Sequence, residues 1–285
     1  MAQLEGLITR GGSRGTLRKL LHEVRASFAF VERQFYLTKR YWAWEVAFLI
    51  YTAASSLSIM FIGKAQGGEN VNELILFLGI GTLVWSYLNA VFANIAETIA
   101  WERWEGTIEY TMMAPVSRLT HMLGMSVFSI IYGIVRATLL LAVLSLFFEI
   151  DLGGANLPGA LVVIVFGSFS FIGFGIMGAV LPLLFPEKGE QMTFIISSIL
   201  LLVSGVYYPV EVLPGWMQPF SALSPATYVL ESMRAAILDG TGTLALLADM
   251  VPVAIIGLIT IPLAMLIFGY FERYAKRTGR LKRSG

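Results

Sequence analysis

WERWEGTIEYTMMAP, residues 101–115, is polar where everything around it is apolar. An uncharged run, residues 74–96, precedes it, and a second long apolar run begins near Leu119. Glu102, Arg103, Glu105 and Glu109 are costly in hydrocarbon, so the stretch belongs at or beyond a membrane face. Trp101 and Trp104 suit the headgroup layer, where an amphipathic ring keeps one side wet. Residues 107–113 read as a short helix, which Pro115 stops. Composition alone also allows an ordinary interhelical loop.

Outward from this island the chain divides into apolar spans. Residues 74–96 run 23 positions without a charge; at ~1.5 Å each they cover ~30 Å of hydrocarbon. The other spans are read at about 46–62, 119–148 (interrupted by Arg136), 192–208 and 250–271, the last kinked near Pro262. The uncharged stretch 152–186 is too long for one straight crossing, so 157–184 reads as a kinked or tilted fourth span. Pro158 suits its first turn, and Pro182 and Pro186 unwind its end. Between the fifth and sixth spans, Pro209, Pro214, Gly215, Pro219 and Pro225 sit among apolar residues. Residues 209–247 therefore read as short re-entrant helices at the outer interface. Ahead of the first span, Leu17, Leu20, Leu21, Val24, Phe28, Val31 and Phe35 recur at spacings of three and four. Charges fill the other faces, which describes a helix lying in the membrane plane. A soluble helix packed on a partner has the same pattern.

The composition agrees. The chain is 56% hydrophobic and 14% charged, with mean hydropathy +0.74, against about 25% charge in soluble domains. We read an all-α membrane protein of one domain, 1–285, with six transmembrane helices. It comprises a flexible lead-in 1–16, an interfacial helix 17–41, a six-span bundle 42–271 and a basic tail 272–285. The net charge of +1 offers no field for nucleic acid, and the absence of cysteine removes disulfides and thiolate chemistry. His22 and His121 lie far apart and suggest no metal site. The basic N-terminal region does not resemble a cleavable signal. With both termini cytoplasmic, 17 of the 20 Lys and Arg residues fall inside. This is the positive-inside pattern. Residues 101–115 then face the cytoplasm and 209–247 face outside.

Gly173, Gly175 and Gly178 match G-x-G-x-x-G, but inside an apolar span with no acidic residue about twenty positions on. Close helix packing is the better reading. There is no phosphate-cradling G-x-x-x-x-G-K-[ST] loop. Arg136 costs ~2.5–3.5 kcal/mol at a bilayer centre, so it either meets a structural partner or serves substrate. Trp85, Asn89, Ser197 and Ser204 either join helices by hydrogen bonds or line a path for an amphipathic substrate.

Glu105 to Glu109 (EGTIE), followed by APVSR at 114–118, resembles the cytoplasmic coupling segment of type-2 ABC exporter permeases. SGVYYPVEVLPGWMQ at 204–218, continued by SPATY at 224–228 and by Arg234, resembles that family's element after span five. The resemblance implies that Trp104, Glu105, Gly106, Thr107, Glu109 and Pro115 couple to a separate ABC ATPase subunit, present in two copies. It implies a second copy of the permease or a close paralogue, with ATP and Mg bound by the ATPase and no cofactor, metal or catalytic residue here. It implies a substrate path between spans two and five, where Trp85, Asn89, Arg136, Ser197 and Ser204 are the candidates. Tyr207, Pro209, Leu213 and Pro214 would form the extracellular gate.

The expectation is thus a permease in the bacterial inner membrane, moving a hydrophobic or amphipathic compound outward. A lipid-linked polysaccharide is the alternative cargo. An ion-coupled transporter would carry more intramembrane charges than Arg136. An intramembrane enzyme would need paired carboxylates or a Ser–His arrangement within its spans.

Overall fold

The computed structural model describes residues 2–68, 70–150 and 153–279, with side chains from residue 21 onward. Leu17 and Leu20 of the expected amphipathic pattern, and Arg280, Lys282 and Arg283 of the basic tail, lie outside the described side chains. Every regular element described is helical: α1 (Ala2–Arg40), α2 (Trp42–Ala65), α3 (Val71–Ala96), α4 (Thr98–Trp104), α5 (Ile108–Met113), α6 (Arg118–Ser145), α7 (Leu157–Gly178), α8 (Val180–Leu184), α9 (Gly189–Val203), α10 (Gln218–Leu223), α11 (Pro225–Ile237), α12 (Thr243–Asp249) and α13 (Val251–Arg277). The helix α1 runs through the stretch read as a lead-in.

Among the described residues, five helical segments are long and apolar enough to cross a membrane: α2, α3, α6, Leu157–Leu184 and α13. The expected fifth span falls short. α9 has 15 residues, ~22 Å of rise. It stops because Gly205 takes φ +68, the left-handed conformation in which a helix ends on glycine. Ser204 Oγ also bonds back to the Leu200 carbonyl at 2.5 Å. The kink expected in the fourth span is a break at Ala179 between α7 and α8. Pro182 explains its place: the ring has no N–H to give Gly178, four residues back, and would press on that carbonyl.

α3 is the centre of the bundle, packed on α2, α6, α7 and α11, and its Tyr87, Leu88, Val91, Phe92 and Ile95 are buried. Tyr87 is hydrogen-bonded to Ser168 of α7. The three glycines of the G-x-G-x-x-G match are packing residues. A Cβ on Gly173 would stand 2.3 Å from Thr260 Oγ1 of α13, and one on Gly175 or Gly178 would stand 2.9 Å from Ile95 or Ala96 of α3. Without side chains there, α7 approaches both neighbours closely. Residues 209–247 fold as short helices; α11 wedges its Ala226, Val229, Leu230 and Met233 against α3 and α7.

Candidate functional site

α5 is a six-residue helix at the end of the bundle where α3 finishes and α6 begins. A helix this short is not stable alone, so its ends must be fixed from outside. Gly106, at φ +72, turns the chain out of α4. Ala114 is extended (φ −59, ψ 141) because Pro115 disfavours helical backbone in the residue before it. Ser117 then caps α6, its Oγ accepting from the Thr120 amide at 3.1 Å.

At the N-terminal end, Arg33 of α1 donates to Glu102 Oε1 at 2.8 Å and to Thr107 Oγ1 at 2.9 Å. Thr111 donates to the same carboxylate oxygen at 3.2 Å. His121 of α6 places Nε2 3.3 Å from it, an ion pair when the ring is protonated. Glu102 is 2% exposed and His121 0%. Burial pushes the Glu102 carboxyl up, but His121 and Arg33 outweigh it and hold it below its ordinary value. The neighbouring Arg103 donates to the Leu183 carbonyl at 2.8 Å, tying α4 to α8.

At the C-terminal end, Arg118 donates to the Thr111 and Met112 carbonyls at 2.9 and 2.7 Å. It also pairs with Glu272 of α13 at 2.9 Å, and Lys276 closes on Glu272 at 2.8 Å. Cations on the last carbonyls of a helix satisfy orphan acceptors and its dipole. α5 is therefore clamped to α1 and α4 at one end and to α6 and α13 at the other. Between the clamps Ile108, Thr111 and Met112 face inward, while Glu109, Tyr110 (75%) and Met113 (74%) face out.

Of the residues expected to couple, Trp104, Glu109 and Pro115 are exposed. Glu105 is half-buried and accepts from the Tyr41 hydroxyl at 2.8 Å. Thr107 is committed to the N-terminal clamp. The clamp residues Arg33, Glu102, His121, Arg118 and Glu272 escaped sequence reasoning, which treated Glu102 only as a charge to keep out of lipid. Their partners are 69 and 154 positions apart, beyond any local pattern. Exposed Tyr110 and Met113 lie within the short helix read at 107–113 but were not singled out there, since nothing in the local sequence says which side of so short a helix faces out.

The candidate path residues separate. Asn89 of α3 and Ser197 of α9 are hydrogen-bonded to each other, and Trp85 is half-buried on α3. Ser204 is 1% exposed and bonded to Ser224 at 2.7 Å. Arg136 faces elsewhere: it donates to the Tyr132 hydroxyl at 3.0 Å and to Thr52 of α2 at 3.4 Å. Tyr132 in turn donates to Glu45 of α2. The intramembrane cation thus has a carboxylate one hydroxyl away. Of the gate residues, Leu213 is buried, Tyr207 half-buried, and Pro209 and Pro214 exposed. Their segment starts from Val206, whose carbonyl lies 2.1 Å from where a Cβ on Gly81 would be; only glycine leaves it room on α3.

An all-helical bundle with several apolar crossings, its charged contacts gathered around one short clamped helix, defines a multi-pass membrane protein. The chain belongs to the ABC-2 type transporter family, whose profile matches residues 25–238. It is similar to the inner membrane transport permease YadH of Escherichia coli (strain K12), 23% identical over 177 residues, covering 62% of this chain and 68% of that protein. It is also similar to the putative transport permease ycf38 of Cyanophora paradoxa, 28% identical over 171 residues, 57% of this chain and 56% of that one. The chain is a membrane transport permease.

Proposed function

We propose that the chain is the membrane-spanning subunit of an ATP-driven exporter, with α5 as the helix that docks a separate ATPase. The observation that carries this is the clamping of α5. A docking helix transmits force only if it cannot swivel, and ion pairs hold α5 at both ends while it presents Glu109, Tyr110 and Met113 to a partner. ATP, with Mg, acts on that partner, in two copies. Closure of the ATPase pair pushes α5, and the clamps pass the push to α1, α6 and α13, rocking the spans to switch access.

In this reading α9 and the turn after it complete a sixth crossing, and both termini lie in the cytoplasm of a bacterial inner-membrane protein. α1 lies in the membrane plane, since Leu21, Val24, Phe28 and Phe35 are exposed. The helices of 209–247 are re-entrant from outside. Two copies pair along α9, whose Phe194, Ile195 and Ile199 have no cover. The cargo, a hydrophobic or amphipathic compound, moves between α3 and α9, where Asn89 and Ser197 meet. Arg136 is structural, since its neighbours are on α2 and α6.

Affinity purification from native membrane tests the reading. The chain is expected to bring down an ATPase, and Tyr110→Glu/Met113→Glu to release it without loss of the folded permease. Equal co-purification and substrate-stimulated ATP hydrolysis with that variant would remove α5 from the docking role.

A further inference from the structure

At the opposite end of the bundle from α5 lies a polar pocket of about 360 Å³ beside the stretch that follows α9. Glu211, Glu231, Asp239, Thr227, Arg234 and Phe77 contribute to its wall. The three carboxylates and one guanidinium leave a net charge of −2. The cation in the wall has both Nη atoms engaged, and its Nε alone has no hydrogen-bond partner in the protein. Arg234 gives its Nη atoms to the Gly205 and Val206 carbonyls at 3.1 and 2.8 Å and lies over the Phe77 ring at 3.6 Å. Thr227 is 6% exposed, and its hydroxyl has no hydrogen-bond partner in the protein. A buried hydroxyl left unbonded is costly, and here it borders the pocket.

We propose that this pocket binds an organic cation, an amine- or ammonium-bearing group, with Glu211 and Glu231 supplying the charge and Thr227 the hydrogen bond. The size favours an organic group over a bare ion, since a cavity of about 150 Å³ already holds a benzene. The spacing does too: among the described residues no three acidic or histidine side chains gather as a metal would need. Carboxylates and a hydroxyl with lone pairs to give are the acceptors that an ammonium group's charge and N–H donors seek. The carboxylates lack a sufficient counter-charge. Burial pushes the Glu231 carboxyl up, and the charges of Glu211 and Asp249 raise it further against the lowering by Arg234. A bound cation relieves that repulsion.

The inference concerns equilibrium binding to this chain and stands whether or not the chain exports. It is tested by calorimetric titration of the full chain in phosphatidylglycerol nanodiscs at pH 8 with ethanolamine, choline and neutral ethylene glycol at constant ionic strength. The amines are expected to bind and the glycol not to. Glu231→Gln and Glu211→Gln are each expected to weaken amine binding about tenfold, one lost ion pair of ~1.4 kcal/mol, and Thr227→Val to weaken it less. Binding needs the ionised carboxylate, so it is lost as pH falls through the raised pKa of Glu231, before an ordinary carboxylate at about 4.3 would protonate. Nanodiscs containing phosphatidylethanolamine separate two sources of the cation. Loss of ethanolamine binding there identifies a lipid headgroup as the occupant; unchanged binding identifies a soluble amine. Equal binding by the Glu211→Gln/Glu231→Gln variant, equal binding of the glycol, or no amine binding by the folded chain overturns the proposal.

Discussion

Glu102 is the residue on which the polar end of the bundle converges. One of its oxygens meets Arg33 from α1, Thr111 from α5 and His121 from α6. Removing one partner of a buried pair leaves the rest uncompensated, at about 3–5 kcal/mol. Arg33 is 30% exposed and keeps some water, so Glu102→Leu is expected to cost about 3 kcal/mol, at the lower end. The measurement is thermal unfolding in detergent. The folded-state pKa of Glu102 is depressed, so its stabilisation is complete above about pH 4.3 and is lost as pH falls through the lower folded value. A wild-type unfolding temperature that drops below pH 4, and a smaller drop in Glu102→Leu, are the signature. Glu97, five residues earlier, behaves in the opposite sense. Burial, and then the charge of Glu190, push its carboxyl up to about 7. The folded state holds that proton more tightly than the unfolded one, so stability declines as pH rises from about 4.3 to 7. Glu97→Gln is expected to raise the unfolding temperature at pH 8 and leave it unchanged at pH 4.

At the scale of elements, α5 and α3 show how helix ends are managed in a chain with little polar surface to spare. α5 has cations on its last carbonyls, whereas α3 ends on Glu97, an anion at the negative end of a dipole. That second arrangement adds to the cost of ionising Glu97. The C-terminal clamp gives a separable prediction. Arg118→Gln keeps one donor but loses the pair with Glu272, so α5 is expected to stay folded yet swivel. Amide hydrogen exchange in residues 108–113 is expected to rise about tenfold, equivalent to ~1.4 kcal/mol of local opening, with unchanged protection in α3. Substrate-stimulated ATP hydrolysis by the complex is expected to fall in parallel. Unchanged exchange in α5 would mean that Lys276 and Glu272 suffice to hold it.

For the whole molecule, the two polar ends lie on opposite sides of a slab of apolar helix, and the absence of cysteine makes their sidedness measurable without background. Glu109→Cys is expected to react with an impermeant maleimide only in inverted vesicles, and Val212→Cys only in intact cells. Labelling of both from one side would mean that the segments share a face and that an even number of crossings does not separate the termini. Ile195→Cys on the uncovered face of α9 is expected to cross-link two copies, the readout for pairing.

Residues 101–115 and the apolar runs around them determined by themselves that the chain is a helical membrane protein with a polar knuckle between its second and third apolar spans. Length in hydrocarbon and the cost of charge there are properties of a single segment. The break before Pro182 and the extended Ala114 before Pro115 were legible for the same reason, because proline acts on its own neighbours. Tertiary structure alone decided that Glu102 is buried instead of displayed, that Arg136 looks toward Glu45 through Tyr132, and that three carboxylates share a pocket wall with Thr227. Each depends on side chains brought together from distant parts of the sequence. A charge carries no mark of which helix will neutralise it until the bundle has closed around it.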